Sequence, residues 1–199
     1  MQLNHKFYFD HFAQKLGSRT PSIADITPSY SCLSTERLTY IKDEFAQRDI
    51  RVKAVILIRD PLARIKSAVR FNLDRAYYEE GIKPGETSFE AALEQYYKTA
   101  HCLIRTQYHH TIERAKQVFD PGSLYIGVFE NMFSRESIDR LAEFLEIEPQ
   151  YALSAKKINR TSGRVVDTPL DNLIKEHFGD VYRYCYKHFP ETKILWSSN

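Results

Sequence analysis

The chain has 199 residues, 43% apolar and 27% charged, with a formal net charge of +2 at pH 7. Those values describe one ordinary globular domain and exclude a disordered chain, and so even a charge gives no ground for a nucleic acid as partner. The longest strongly apolar run, Ala54 to Ile58, is far shorter than the ~20 residues of a membrane span, and Met1-Gln-Leu-Asn-His-Lys6 is no signal peptide, so a cytoplasmic protein is expected.

Phe7-Tyr8-Phe9 reads as a short strand or packed loop, and Pro21 and Pro28 punctuate the segment after it. Ser34 to Gln47 is a predicted helix, with Leu38, Ile41 and Phe45 on one face. Lys53 to Arg59 is the clearest strand, apolar throughout, as suits a parallel strand covered on both faces. Asp60-Pro61 then reads as an N-cap followed by proline at the first helical position, opening a helix that carries Leu62, Ile65 and Val69 on one side. Gly81 to Gly85 forms a loop around Pro84, and Ser88 to about Val118 is predicted helical with one break. Pro121-Gly122 ends that stretch; Leu124 to Phe129 is a second strand and Ser134 to Glu146 a helix. A polar, basic loop from Ser154 to Thr168 precedes a last helix, roughly Leu170 to Phe189. Strands separated by helices give an α/β domain with a parallel sheet, in which ligands bind beyond the carboxyl ends of the strands. That rule points at Arg59-Asp60 and Phe129-Glu130.

Cys32, Cys102 and Cys185 lack metal-ligand spacing and read as packed, reduced thiols. His101, His109 and His110 do not share a face as a metal site would, so no metal is expected. Arg59 closes the buried strand and Ser67 lies about two turns into the next helix. A guanidinium fork and a hydroxyl converging near a helix start would hold a phosphate. By spacing alone, the pair also reads as a surface arginine bound to an acid and an exposed helical serine.

The stretch from Lys53 to Ser67, a strand followed by Arg-Asp-Pro and a serine eight residues after the arginine, resembles the 3′-phosphate-binding motif of PAPS-dependent sulfotransferases (PAPS, 3′-phosphoadenosine 5′-phosphosulfate). Asp25-Ile-Thr-Pro-Ser-Tyr30 resembles the Glu-Lys-Thr-Pro-x-Tyr segment of the heparan-sulfate 3-O-sulfotransferase type and its bacterial relatives. Tyr125 to Glu130 with the helix ending in Phe144 to Pro149 resembles the family's next strand and helix, and Asn159 to Arg164 its late basic loop over the donor. The resemblance runs from about Phe7 to Trp196. It implies a P-loop NTPase-like three-layer fold with a central parallel sheet, a single domain over 1–199, PAPS as donor and PAP (adenosine 3′,5′-bisphosphate) as product, and a hydroxyl or amine acceptor on a carbohydrate, lipid or small metabolite. It also implies site residues: Arg59 and Ser67 on the 3′-phosphate, and Arg160, Ser162, Gly163 and Arg164 over the donor.

Two elements depart from the pattern. The family's Lys-x-Gly-Thr-type loop for the 5′-phosphosulfate belongs before the segment matching Phe7-Tyr-Phe-Asp10, and the six residues preceding Phe7 contain no glycine. At the position of the family's catalytic glutamate stands His5; Asp25, matching the glutamate before Thr-Pro, is the other candidate base, and the lysine after it is Ile26 here. Either the sequence is truncated before this loop or the loop is lost, and the second case keeps a non-catalytic sulfotransferase-fold module, binding PAP or another anion, as the alternative. A P-loop kinase ranks last, since no Gly-x-x-x-x-Gly-Lys-(Ser/Thr) is present. Acceptor identity and oligomeric state have no sequence signal.

Overall fold

The structure, a computed structural model, describes residues 5–17, 20–78, 80–151 and 167–197. It opens with α1 (His5–Lys15), which packs on α2 (Thr35–Ala46). Phe7-Tyr8-Phe9 therefore lies in a helix, not in the expected strand or loop. Aromatic residues favour strands only weakly, and here the packing decides: Tyr8, Phe9 and Phe12 all meet the ring of Phe45, at centroid distances of 6.2, 5.0 and 6.0 Å. Arg48 Nη2, 2.7 Å from Asp10 Oδ1, ties α1 to the turn that follows α2. The expected helix over 34–47 is present as α2, with the Ser34 hydroxyl capping Arg37 N–H.

Two parallel strands, β1 (Ala54–Ile58) and β2 (Leu124–Val128), pair with Ala54 opposite Leu124 and Ile58 opposite Val128. A parallel pair needs a crossover. It is made by α3 (Pro61–Asp74), α4 (Phe89–Tyr96), α5 (Ala100–Thr106) and α6 (Tyr108–Val118). One break was expected in 88–118 and there are two. The first lies at Thr99, whose hydroxyl caps Cys102 N–H, and the second at Gln107, where ψ swings to 65°. Gly81 turns the chain at φ +97°, and a Cβ there would stand 2.5 Å from Thr99 Cγ2, so both backbone and space require glycine.

After β2 come α7 (Arg135–Leu145), α8 (Asp171–His177), α9 (Gly179–His188) and α10 (Glu191–Leu195). The single last helix expected over 170–189 is thus two, broken at Phe178 and Gly179, and α10 was not anticipated. Among the described residues no helix is long and apolar enough to cross a membrane.

The main core joins Ile58, Leu62, Ile65 and Val69 to Ile112, Val128, Ile174, Val181 and Trp196. Strand β1 departs from the two-sided burial its composition suggests. Ala54 and Ile56 face α6, but Val55 and Leu57 remain 42% and 41% exposed, because α7 meets the other face mainly through the Tyr125–Phe144 contact on β2. These elements make an α/β arrangement around a small parallel sheet.

Helix α3 is joined to α8 by an ion pair of low exposure. Lys66 Nζ lies 2.6 Å from Asp171 Oδ2, with the lysine side chain 1% exposed, and Thr168 donates a hydrogen bond to the other carboxylate oxygen. Removing one partner leaves an uncompensated charge. Lys66→Met is therefore expected to lower unfolding free energy by about 3 kcal/mol in urea titration; a loss below about 1 kcal/mol, the scale of a surface pair, would show that the pair is not buried in solution.

Candidate functional site

Because β1 and β2 run parallel, their carboxyl ends open on the same edge. There β1 delivers Arg59 and Asp60, and β2 delivers Phe129 and Glu130. The Arg59 guanidinium carbon lies 4.7 Å from the centroid of the Phe129 ring, a cation–π contact. Among the described residues no carboxylate pairs with Arg59, so the reading of a surface arginine bound to an acid does not apply to them. Among the described residues its five donors take no hydrogen-bond acceptor.

Asp60 is the most constrained group of this edge, at 2% exposure. Its Oδ1 accepts the Leu62 N–H at 3.3 Å, as the expected N-cap of α3, and the Tyr182 hydroxyl at 2.6 Å. The Asp60 N–H donates to Glu130 Oε1 at 2.9 Å, and Glu130 Oε2 accepts the Trp196 indole N–H at 3.0 Å. Burial raises the Asp60 carboxyl above its ordinary value, against the lowering effect of these hydrogen bonds.

Ser67 is half-buried two turns along α3, and no described residue takes its hydroxyl. Arg64, one turn along, points toward α5, with Nε 3.0 Å from Thr106 Oγ1 and Nη2 3.5 Å from the Cys102 carbonyl. It too has no carboxylate partner among the described residues. The start of α3 therefore carries two guanidinium groups that no described acid neutralises.

The candidate bases lie elsewhere in the contact network. Asp25 is exposed and accepts hydrogen bonds from Tyr8 at 2.7 Å, Thr27 at 2.7 Å and Tyr30. Burial alone would raise its pKa, but the Tyr30, Tyr8 and Thr27 hydroxyls hold it below the ordinary aspartate value. His5 is the first residue of α1, three before Tyr8. No bond joins Asp25 to Arg59 or Ser67. The connection is indirect: Arg105 lies between Ser29 Oγ, at 3.4 Å, and Glu80, at 3.0 Å, and Glu80 accepts Asn72 Nδ2 of α3 at 3.1 Å. Arg160, Ser162, Gly163 and Arg164 lie outside the described residues.

Arg64, Tyr182 and Trp196 were not anticipated as parts of this edge, and Glu130 only through the strand-end rule. Tyr182 and Trp196 arrive from 122 and 66 residues away from their partners, and no local pattern marks them.

The Asp60 environment makes a pH prediction. With its folded-state pKa above the ordinary 3.8, the unfolded chain ionises first as pH rises, and stability falls between the unfolded and folded values. Asp60→Asn keeps an acceptor for Leu62 and Tyr182 but does not titrate. Urea titrations from about pH 4 upward should show the wild type losing stability relative to the variant, then running parallel; parallel curves throughout would refute the raised carboxyl.

In comparison with known proteins, the family model of the sulfotransferase domain matches residues 41–173. No curated protein and no solved structure matches the chain. The matched span contains Arg59, Arg64 and Ser67, while His5 and Asp25 precede it.

Proposed function

The chain belongs to the sulfotransferase family, and from that premise we propose that it uses PAPS to sulfate a hydroxyl or amine of a carbohydrate, lipid or small metabolite. On this reading residues 1–199 are one domain of the P-loop-like three-layer kind, with β1 and β2 part of its central sheet. PAPS when bound supplies the sulfuryl group and leaves as PAP.

The observation that carries the proposal is Arg59. A guanidinium standing at the carboxyl end of β1, braced on Phe129 and paired with no described acid, offers the charge-assisted bidentate contact a phosphate requires. Ser67 adds a hydroxyl on the following helix, and this pair holds the 3′-phosphate, the group that distinguishes PAP from an ordinary adenine nucleotide. Arg160, Ser162, Gly163 and Arg164 close over the donor. As the acceptor oxygen or nitrogen bonds to sulfur and the bond from sulfur to the donor phosphate breaks, the acceptor proton passes to His5 or Asp25.

A second reading, a module that binds PAP or another anion without turnover, draws on Asp25. Three hydroxyl donors hold that carboxylate ionised and make it a weak base. Mutant-sensitive transfer to any acceptor would reject this reading.

Calorimetry tests the donor site. Adenosine 3′,5′-bisphosphate should bind more tightly than adenosine 5′-monophosphate, and Arg59→Ala should weaken it by at least ~1.5 kcal/mol, roughly tenfold. Equal binding of the two nucleotides, or undiminished binding in the variant, would overturn the assignment.

A further inference from the structure

On the α3 face that carries Ser67 lies a cavity of about 640 Å³, within the range of small-molecule sites. Ser67, Arg70 and Asp74 recur at i, i+3 and i+7 and so share one stripe of the helix. Arg70 and Asp74 line the cavity, and Asp74 stands only about 10 Å along the axis from Ser67. The far wall is the segment 86–90 at the start of α4, and residues 167–169 before α8 close one side.

The lining has an apolar body and an acidic margin. Leu73, Tyr78, Phe89 and Pro169 supply the first, and the face of Phe89 already holds a cation, with the Arg70 guanidinium 4.8 Å from its centroid. Asp74, Glu86, Glu90 and Asp167 supply the second, so four carboxylates face one guanidinium among the described lining residues. Glu86 is held by the N–H groups of Ser88 and Thr87 and by Gln95. Asp74, Glu90 and Asp167 are exposed and bind no described residue. The cavity defines the site, and these three carboxylates, neutralised by no described cation, set the sign of its described lining.

We propose that this cavity binds a small molecule carrying a protonated amine on an aromatic or apolar body. This cation preference does not rest on the sulfotransferase reading. A polyanionic carbohydrate would meet like charge here and be disfavoured. An aromatic amine would stack its ring against Tyr78 and Phe89 and direct its ammonium to the rim formed by Asp74, Glu90 and Asp167.

Three probes of one body separate these contributions: tyramine, neutral 4-ethylphenol and anionic 3-(4-hydroxyphenyl)propionate, titrated into the full chain by NMR or calorimetry. Tyramine should bind saturably and tightest, less so with added salt, and the propionate weakest. The double variant Asp74→Asn/Glu90→Gln, which breaks no described contact, should weaken tyramine by at least about threefold and leave 4-ethylphenol and PAP unaffected. Equal affinity for the three probes, no saturable tyramine binding, or a variant indistinguishable from wild type would overturn the proposal. PAP binding without tyramine binding overturns the cavity assignment alone. Tyramine binding in a protein indifferent to PAP overturns the donor reading, while the cation site stands.

Discussion

A carboxylate removed from water must be hydrogen-bonded or it destabilises the fold by several kcal/mol, and Asp60 is such a group at the point where the sheet meets its ligand edge. Its partners explain much of the architecture. The Leu62 N–H is local, but the Tyr182 hydroxyl comes from α9, and Glu130, which accepts the Asp60 N–H, is itself held by Trp196 beyond α10. The C-terminal helices thus return to the sheet edge because polar groups there need them, as well as for the apolar burial of Val181 and Trp196. Arg59 precedes Asp60 in the chain, so the same bonds that hold the carboxylate restrict the backbone that carries the guanidinium.

The cap also changes how an anion can be held. A free helix N-terminus binds phosphate through its amides and dipole, but at α3 Pro61 contributes no N–H and the Leu62 N–H is already given to Asp60 and Tyr182. Under the proposed donor reading, the anion at this edge is therefore held by side chains, Arg59 braced on Phe129 and the hydroxyl of Ser67, with Arg64 directed away toward α5.

What was legible in the sequence was local. The Ala54–Ile58 strand, the Asp60-Pro61 start of α3 and the Ser34 cap of α2 each depend on residues within a few positions of one another. The first helix was misread because Phe7-Tyr8-Phe9 has strand-like composition, while its conformation is decided by Phe45, more than thirty residues on. The breaks at Thr99 and Phe178 were hidden for the opposite reason. Each interrupts a longer stretch that reads as one helix, although Thr99, Phe178 and Gly179 are themselves weak helix formers, and the turn is set by a side-chain cap in one case and the Phe178-Gly179 junction in the other. At the site, spacing left Arg59 and Ser67 open and the resemblance to the sulfotransferase motif named them, but the absence of a described acid beside Arg59 is a tertiary fact, as is the approach of Tyr182.

Helix α3 links the two proposed sites and is anchored along its length. Asp60 and Tyr182 hold its start, Lys66 and Asp171 its middle, and Asn72 and Glu80 its end. A helix so restrained presents its exposed stripe as a rigid ruler, and rigid elements position recognition groups better than loops do. Along that ruler the charge changes sign. Arg59 stands before the helix and Ser67 on it, suited to an anion, and Asp74 comes after them, facing a cavity whose other acids lie on separate segments. Two ligands of opposite charge would then sort themselves along α3 by electrostatics alone, each repelled from the other's end.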